Sequence, residues 1–338
     1  MTYKEVRNAA KGHACLCYAC PVCNGIACSN IIPGPGAKGS GKSASRNYSA
    51  WQDIYLNMDT ISRERPVDTS FSLFGHSFAY PIFAAPMGAV EEHFSTELTQ
   101  EQYDNLLIAG CKRAGIMAFT GDGLRDENFP ISCDAIRRNG FGVPTIKPWS
   151  KERVFARIDL AKDAGAKVLC MDIDGSGLPF LKNMNPPSGT KTVEELREII
   201  EYAGVPFIIK GIMTVQGALK AREAGASGII VSNHGGRVLD QTPATAWVLP
   251  QISDAVGKTM TVMVDGGIRT GLDVFKALAL GADAVLIGRP FAACIYGAGV
   301  QGIEAYVQQL GAELRDAMQM CGPRKLQDIN RGHIWCSK

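Results

Sequence analysis

From residue 81 onward the chain alternates short apolar runs with segments that have the periodicity of amphipathic helices. This alternation predicts a parallel sheet, because each crossover helix returns the chain to the same end of the next strand. Eight runs fit a closed barrel, whereas an open six-stranded sheet would require two of them not to be strands. The predicted strands are Pro81–Pro86, Gly115–Thr120, Pro144–Pro148, Val168–Asp174, Pro206–Gly211, Gly228–Asn233, Thr261–Gly266 and Ala284–Arg289.

Helical patterns fill the intervals, and most of them are followed by a glycine, as is typical where a helix ends before a strand. The fold class is therefore predicted to be α/β, a (β/α)₈ TIM barrel over residues 49–338 with a Cys/Gly-rich N-terminal extension over residues 1–48. The predicted helices are Thr99–Ala114, Lys151–Ala164, Val193–Ala203, Val215–Ala224, Pro243–Ala255, Gly271–Leu280 and Gly302–Met320.

The barrel fold predicts where functional residues should occur in the sequence, because catalytic groups of this fold lie at the carboxyl ends of its strands. Polar and charged residues do collect there, and we expect them to surround one site. They are Thr120, Lys147, Asp172, Asp174, Lys210, Ser232 to Arg237, Asp265, Arg269 and Arg289.

The sixth run leads into the loop S-N-H-G-G-R, which contains His234 and Arg237. Histidine can move protons near neutral pH and arginine is a fixed cation, so the loop is a candidate for catalysis. A single histidine is more often structural, and only the neighbouring motifs favour the functional interpretation.

Glycines close the seventh and eighth runs at Gly266, Gly267 and Gly288. Barrels bind phosphate at this point through backbone N–H groups, and Arg269 and Arg289 could neutralise its charge. The alternative is a pair of ordinary tight turns with both arginines in surface ion pairs.

The chain contains the stretches S-N-H-G-G-R-V-L-D, the P-A-T-A that follows it, and D-G-G-I-R-T-G-L-D-V-F-K-A-L-A-L-G-A-D-A-V-L-I-G-R-P. Together these stretches resemble the FMN-dependent α-hydroxy-acid oxidase and dehydrogenase family, which includes glycolate oxidase, lactate oxidase and flavocytochrome b2. V-D-T-S-F-S-L-F-G and P-I-F-A-A-P-M-G also resemble that family. The similarity is dense from Leu56 to Ile329 and tightest from Lys210 to Pro290. With its cysteines included, the chain resembles a cysteine-rich branch from anaerobic bacteria.

The resemblance implies FMN at the barrel mouth and a role for each matching residue. His234 matches the catalytic base, Asp174 its carboxylate partner, Arg237 the substrate-carboxylate ligand and Lys210 the cation near flavin N1. The other residues predicted at the FMN site are further contacts that the resemblance implies and neighbouring strand-end residues that we group with them. They are Ala85, Pro86, Met87, Thr120, Lys147, Asp172, Ser232, Asp265, Gly266, Gly267, Arg269, Gly288 and Arg289.

The chain also departs from the family pattern on the substrate side. Lys147 replaces a flavin-binding glutamine, Asp172 replaces a threonine, and Pro148 or Trp149 stands where the family has a tyrosine. The second substrate arginine falls on Leu181, and the N-terminal active-site tyrosine has no match. Trp149 is therefore a candidate substrate contact, and the specificity for a 2-hydroxy acid is less firmly implied than the flavin.

Five cysteines crowd into the N-terminal extension, with the spacing Cys15-x-Cys17-x2-Cys20-x2-Cys23-x4-Cys28 and with His13 beside them. Four thiolates at such intervals fit zinc or an iron–sulfur cluster, so Cys17, Cys20, Cys23 and Cys28 are candidate metal ligands. Free thiols in a mobile segment or a disulfide are the alternatives. The apolar content of residues 1–48 is too low for a separate core, so this segment must lie on the barrel, bind a metal or stay mobile.

Composition restricts the partners. A net charge of +2 gives no general attraction to nucleic acid, no apolar run is long enough to span a membrane, and no secretory signal opens the chain. We therefore expect a cytoplasmic enzyme with a small-molecule substrate, an unidentified electron acceptor and, by the family's habit, a homo-oligomer of four or eight chains. Gly36 to Ser43 matches the P-loop pattern, but no strand-like run precedes it, so nucleotide hydrolysis is not expected.

The sequence thus predicts an FMN-dependent oxidoreductase that converts a small, lactate-like 2-hydroxy acid into the 2-oxo acid, with His234 as the base. The alternative is a flavin-dependent oxidoreductase, reductase or isomerase on the same scaffold with another substrate. The missing tyrosine and arginine partners favour that alternative.

Overall fold

A computed structural model describes residues 1–13, 17–61, 66–123, 125–179, 181 and 188–336. Its strands are β1 Ile54–Leu56, β2 Phe71–Leu73, β3 His76–Phe78, β4 Ile82–Ala84, β5 Met117–Gly121, β6 Val143–Ile146, β7 Leu169–Asp172, β8 Phe207–Ile212, β9 Gly228–Val231, β10 Thr261–Val264, β11 Ala284–Ile287 and β12 Ile334–Cys336. Its α-helices are α1 Tyr3–Ala9, α2 Lys42–Gln52, α3 Val90–His93, α4 Gln100–Arg113, α5 Asn128–Asn139, α6 Lys151–Asp163, α7 Val193–Ala203, α8 Val215–Glu223, α9 Thr245–Val256, α10 Gly271–Ala279 and α11 Arg289–Cys321.

The eight strands β4 to β11 form a closed parallel barrel, in which β11 pairs with β4 to complete the ring. Each of the eight predicted runs supplies one of these strands, so the predicted TIM barrel is confirmed. The pair β8 and β9 contains an irregularity between Lys210 and Ile212, at the end of β8 that reaches the site. Two small antiparallel sheets, β1 with β12 and β2 with β3, lie outside the barrel.

Local sequence signals set the helix ends. Thr99, Thr192 and Thr270 each begin a helix with a capping box, in which side chain and backbone satisfy one another's free groups. The glycines that follow five helices have φ between +63° and +104°, a conformation that disfavours other residues. They are Gly115, Gly165, Gly204, Gly225 and Gly281.

All seven predicted helices are present, and two predictions need adjustment. The last helix begins at Arg289 rather than Gly302, and non-helical backbone at Ala298 and Gly299 interrupts it. Helix α5 lies between β5 and β6, where no helix was predicted. Its Pro130 lies in the first turn, where the missing N–H of proline breaks no helical hydrogen bond.

The N-terminal extension packs on the barrel. Tyr3 of α1 stacks on Tyr306 of α11 with ring centroids 4.2 Å apart, and Val6 is fully buried. The backbone N–H of Lys38 donates to the carbonyl of Gly236 at 2.8 Å, which fixes the segment 17–41 to the loop after β9. The described residues of this segment thus pack on the barrel, which is one of the three possibilities predicted for residues 1–48.

Helix α2 joins this extension to the barrel. The predicted boundary between residues 48 and 49 lies inside α2, whose Trp51 donates its indole N–H to the carbonyl of Gly266 at 2.8 Å. A helix thus follows the P-loop-like stretch at Lys42, but among residues 17–41 there is no strand before it. Within the part of the chain that the structure describes, no helix combines the length and apolarity needed to cross a bilayer.

Candidate active site

One cavity opens at the carboxyl ends of the barrel strands, where the sequence predicted the site. It encloses about 1080 Å³, counting open solvent at its mouth. Most of the predicted site residues line it, so residues far apart in sequence do meet there. These are Ala85, Pro86, Met87, Lys147, Asp172, Lys210, His234, Arg237, Asp265, Gly266, Gly267, Arg269, Gly288 and Arg289.

His234 forms a polar pair with Asp174 beside the cavity. The distance from His234 Nδ1 to Asp174 Oδ1 is 3.0 Å, and the two side chains are 16% and 11% exposed. A carboxylate at Nδ1 favours the tautomer with hydrogen on that nitrogen, which leaves Nε2 as the basic atom. Burial, with Lys210 and Lys147 nearby, holds the pKa of His234 well below 6.5, and burial raises the pKa of Asp174. The imidazole is therefore neutral at pH 7 and able to accept a proton.

The loop that carries His234 depends on two glycines. The φ of His234 is 55°, and those of Gly235 and Gly236 are 62° and 79°. A Cβ on Gly236 would lie 2.9 Å from the Cβ atoms of Ala37 and Ser43. Glycine therefore permits both the turn and the close packing of the N-terminal extension on this loop.

Lys210 lies on the inner side of the cavity at the end of β8. Its Nζ donates to Ser232 Oγ at 3.1 Å and lies 3.5 Å from Asp265 Oδ2. Burial lowers the pKa of Lys210, but Asp265, Asp174 and Asp172 outweigh that effect and raise it above its usual range. The lysine is thus a permanent cation among carboxylates. The Oγ of Ser232 also accepts the backbone N–H of His234, which connects the cation to the loop after β9.

Lys147 and Asp172, two departures from the family pattern, form an ion pair with each other. Their side chains are 11% and 4% exposed, and Lys147 Nζ donates to Asp172 Oδ2. The pairing adds no net charge to the cavity. The other oxygen of Asp172, Oδ1, is buried and has no hydrogen-bond partner among the residues that the structure describes.

Three ligand atoms of Asp172, Asp174 and His234 lie within 4.8 Å of one another, a spacing that could suit a metal ion. Lys147 and Lys210 already supply positive charge to this cluster. We therefore interpret the cluster as part of the acid–base site.

Arg237 lies in the loop after β9, and its side chain extends toward the N-terminal extension. Its Nη1 donates to the carbonyls of Gly34 and Gly36, the latter at 3.2 Å, and Nη2 lies 3.5 Å from each ring nitrogen of His93. Burial, together with Arg289, lowers the pKa of Arg237 to about 9, so the guanidinium is charged at neutral pH. It presents a cation to the same cavity as His234.

Arg269 and Arg289 mark the end of the cavity predicted to bind phosphate. Arg289 Nε donates to the carbonyl of Pro35 at 2.5 Å, and Arg269 Nε donates to the carbonyl of Cys23 at 2.7 Å. Since a guanidinium has five N–H donors, these bonds fix each side chain and leave further donors for a phosphate. No neighbouring atom lies within 3.4 Å of a Cβ built on Gly288, which keeps the backbone accessible there.

Three predicted contacts, Trp149, Thr120 and Ser232, are not among the residues that line the cavity. The indole N–H of Trp149 donates to Asp122 Oδ2 at 2.6 Å, and its ring is 1% exposed. Asp122, the partner of Trp149, lines the cavity, whereas Trp149 does not. Thr120 is fully buried, and its Oγ1 has no partner within the described part of the chain.

Several residues that line the cavity were not predicted from the sequence. His93, Phe94, Asp122 and Leu178 line the cavity, as does Pro35 from the extension. The G-D-G after β5 was a signal that could have indicated Asp122, since it places a carboxylate at a strand end. Leu181, at the position of the expected second arginine, also lines the cavity, so this part of the wall is apolar.

The four cysteines predicted as metal ligands meet at a second, smaller pocket, which is lined by Cys17, Cys20, Cys23 and Cys28. We call it the cysteine pocket. Cys15 lies outside the described residues. His13 is not part of the pocket, since its Nδ1 pairs with Glu97 Oε2 at 3.0 Å on the surface.

The main cavity offers the groups that FMN requires. Lys210 supplies a buried cation, Arg269 and Arg289 supply charge at the glycine-lined end, and residues 85–88 line the wall. Buried Asp265 Oδ1 lacks a hydrogen-bond partner in the described ranges, as expected of an acceptor reserved for a ligand hydroxyl. The residues therefore fit the cofactor.

Comparison with known proteins agrees with this geometry. The family described as FMN-dependent dehydrogenase matches residues 35–180 and 180–336. A peroxisomal (S)-2-hydroxyacid oxidase of Arabidopsis thaliana is 32% identical over 328 residues, covering 86% of this chain and 87% of its own length. An L-lactate oxidase of Lactobacillus jensenii is 43% identical over 140 residues, covering 41% of this chain and 34% of its own.

A solved structure of a mandelate oxidase variant with (S)-mandelic acid superposes with a TM-score of 0.79 at 25% identity, covering 100% of this chain and 99% of that one. These matches confirm the predicted resemblance, FMN as the cofactor and an oxidoreductase that acts on CH–OH donors. The chain belongs to the FMN-dependent dehydrogenase family.

Proposed function

We propose that this enzyme oxidises a small, lactate-like 2-hydroxy acid to the corresponding 2-oxo acid, with His234 as the general base. One observation carries the proposal: a neutral imidazole, oriented by Asp174, and a charged guanidinium, Arg237, face the same cavity. A 2-hydroxy acid presents the two groups that such a pair recognises, a hydroxyl to be deprotonated and an adjacent carboxylate.

Arg237 binds the substrate carboxylate through charge-assisted hydrogen bonds. This places the hydroxyl toward His234, whose Nε2 takes its proton, and Asp174 then stabilises the imidazolium that results. FMN, when bound, supplies the acceptor for the two electrons and the hydrogen that leave the substrate Cα. Lys210 lines the same cavity and would stabilise the negative charge that develops on the flavin when it is reduced.

The relatives support the substrate class. The Arabidopsis protein is named an (S)-2-hydroxyacid oxidase, and the Lactobacillus protein is named an L-lactate oxidase. Both names describe oxidation of a carbon that bears a hydroxyl beside a carboxylate.

A second candidate is flavin chemistry on another substrate, as an oxidoreductase, reductase or isomerase. Leu178 and Leu181 make one part of the wall apolar where a second arginine was expected, so Arg237 would bind a carboxylate without that partner. A site that loses polar partners discriminates less strongly between substrates. A bulkier substrate with an apolar group beside Leu181 would suit this wall.

Product analysis tests the proposal. The purified holoenzyme would be incubated with lactate, glycolate, mandelate and longer-chain 2-hydroxy acids in the presence of an artificial electron acceptor, and 2-oxo acids would be quantified. We expect one of these acids to yield its 2-oxo acid, and we expect His234→Ala to slow its formation by about 10²- to 10⁴-fold. Absence of 2-oxo acid from the whole panel would favour the second candidate.

We also propose that Cys17, Cys20, Cys23 and Cys28 bind a metal centre, either zinc or an iron–sulfur cluster. The support is that all four line one pocket, although they belong to an irregular segment. Thiolates are the ligands that both kinds of centre use.

A further inference from the structure

The cysteine pocket shares a wall with the FMN cavity. Pro35 and Arg289 line both spaces, so a group in one lies a single layer of residues from a group in the other. Zinc does not change its oxidation state, so a structural zinc site gains nothing from this position. A redox centre gains from it, because electrons have only a short distance to travel from the FMN cavity.

The spacing of the sulfur atoms can be compared with that of a zinc site. Zinc–sulfur bonds of about 2.3 Å in a tetrahedron place neighbouring sulfurs about 3.8 Å apart. Among the described histidines, cysteines and carboxylates, no three from the extension have ligand atoms within 4.8 Å of one another. The four sulfurs therefore do not form a zinc tetrahedron, and the position and charge of the pocket decide between the two kinds of centre.

The charges around the pocket suit an anionic cluster. Arg7 and Arg289 line the pocket, and Arg269 donates to the backbone carbonyl of Cys23 at 2.7 Å. Four thiolates give an oxidised [4Fe–4S] centre a net negative charge, which nearby guanidinium groups offset. Ala19 and Ala293 are buried and also line the pocket, and solvent access is one of the factors that set the potential of such a cluster.

We propose that Cys17, Cys20, Cys23 and Cys28 bind a [4Fe–4S] cluster, which carries electrons from the FMN cavity to a one-electron acceptor. Oxidation of one 2-hydroxy acid to the 2-oxo acid releases two electrons and two protons. The cluster passes the electrons on one at a time, each reducing one acceptor molecule, and the protons go to solvent. The electron-transfer part rests on the proposed function, whereas the cluster site itself does not.

Metal analysis of the full chain, purified anaerobically, tests the site. We expect about four iron and four sulfide per chain, an absorbance band near 400 nm beneath the flavin bands, and little zinc. Cys23→Ser and Cys28→Ser should each lose iron and sulfide while keeping FMN, which reports that the barrel is folded. Cys336→Ser, whose cysteine is exposed and remote in sequence, should keep both and is the matched control. One zinc per chain without sulfide, or no metal, would overturn the site.

Electron paramagnetic resonance tests the transfer. Excess 2-hydroxy acid added anaerobically to the holoenzyme should produce the signal of a reduced cluster in the wild type and in Cys336→Ser, and none in Cys23→Ser. A flavin that is reduced beside a cluster that stays oxidised would overturn the transfer and leave the proposed function intact. A flavin that is not reduced would count against the proposed function, and the iron content would still decide the site.

Discussion

His234 Nδ1 lies 3.0 Å from Asp174 Oδ1, although the two residues belong to loops that follow different barrel strands. The contact fixes the orientation of the imidazole and leaves its other nitrogen basic. The acid–base chemistry proposed for the enzyme depends on this pair.

Replacing His234, the proposed base, should leave FMN binding intact and slow the reduction of the flavin by substrate. In His234→Ala we expect FMN to be retained and flavin reduction by substrate to slow by about 10²- to 10⁴-fold, the usual contribution of a general base. Stopped-flow absorbance under anaerobic conditions measures the rate. His13→Ala, which removes an exposed histidine paired with Glu97, is the control and should leave the rate unchanged. An unaltered rate in His234→Ala would remove this residue from the mechanism.

The pH dependence follows from the lowered pKa of His234. A base works only when it is unprotonated, and a lowered pKa keeps the imidazole neutral to a lower pH than an ordinary histidine. The rate constant for flavin reduction should therefore stay level as pH falls from 8 toward 6.5 and decline only below 6.5, the ordinary histidine value. A decline that is complete above pH 7 would show that the imidazole is not held neutral.

Lys147 and Asp172 should contribute to the free energy of unfolding as a pair. Lys147→Gln leaves a buried carboxylate without its cation, which typically costs about 3–5 kcal/mol in the free energy of unfolding. The double variant Lys147→Gln/Asp172→Thr removes both charges and should recover most of that loss. Urea denaturation of the FMN-free protein measures the free energy of unfolding of the wild type and of both variants.

Lys151 and Glu198 provide the matched control for this pair, because their side chains are 51% and 52% exposed. Lys151→Gln should cost less than about 1 kcal/mol, as exposed ion pairs usually do. Equal losses in Lys147→Gln and in the double variant would mean that the two buried residues act independently.

Arg237 should govern affinity for the carboxylate. In Arg237→Met we expect the dissociation constant of a 2-oxo acid product to rise about 10- to 100-fold, because a hydrogen bond to a charged group contributes about 1.5–3 kcal/mol. Titration of the flavin absorbance measures binding. Arg331→Met removes an exposed arginine paired with Asp254 and should have no effect. Unchanged product affinity in Arg237→Met would assign the carboxylate to another cation.

The barrel could be predicted because each of its strands is a short apolar run, and every run after the first ends in or next to polar residues. The order of those runs fixes the ring, and the capping threonines and terminal glycines fix most helix ends. Helix α5 was missed because Pro130 and weak helix formers obscure its pattern, and tertiary packing stabilises it instead.

The interior of the site was less predictable, because it depends on contacts between distant parts of the chain. The sequence places Lys147 and Asp172 at strand ends, but only the structure shows that they neutralise each other. Trp149 turns toward Asp122 instead of the cavity. The carbonyls of Gly34 and Pro35 that hold Arg237 and Arg289 come from a segment with no periodic pattern, so its path over the barrel could not be predicted.

An anaerobic absorbance titration of the holoenzyme with individual 2-hydroxy acids tests the central claim most directly. We predict that at least one of them bleaches the flavin band near 450 nm without any added reductant, and that its 2-oxo acid appears in proportion to the flavin reduced. A flavin band that persists with every 2-hydroxy acid, yet is bleached by dithionite, would contradict the proposed oxidation of 2-hydroxy acids.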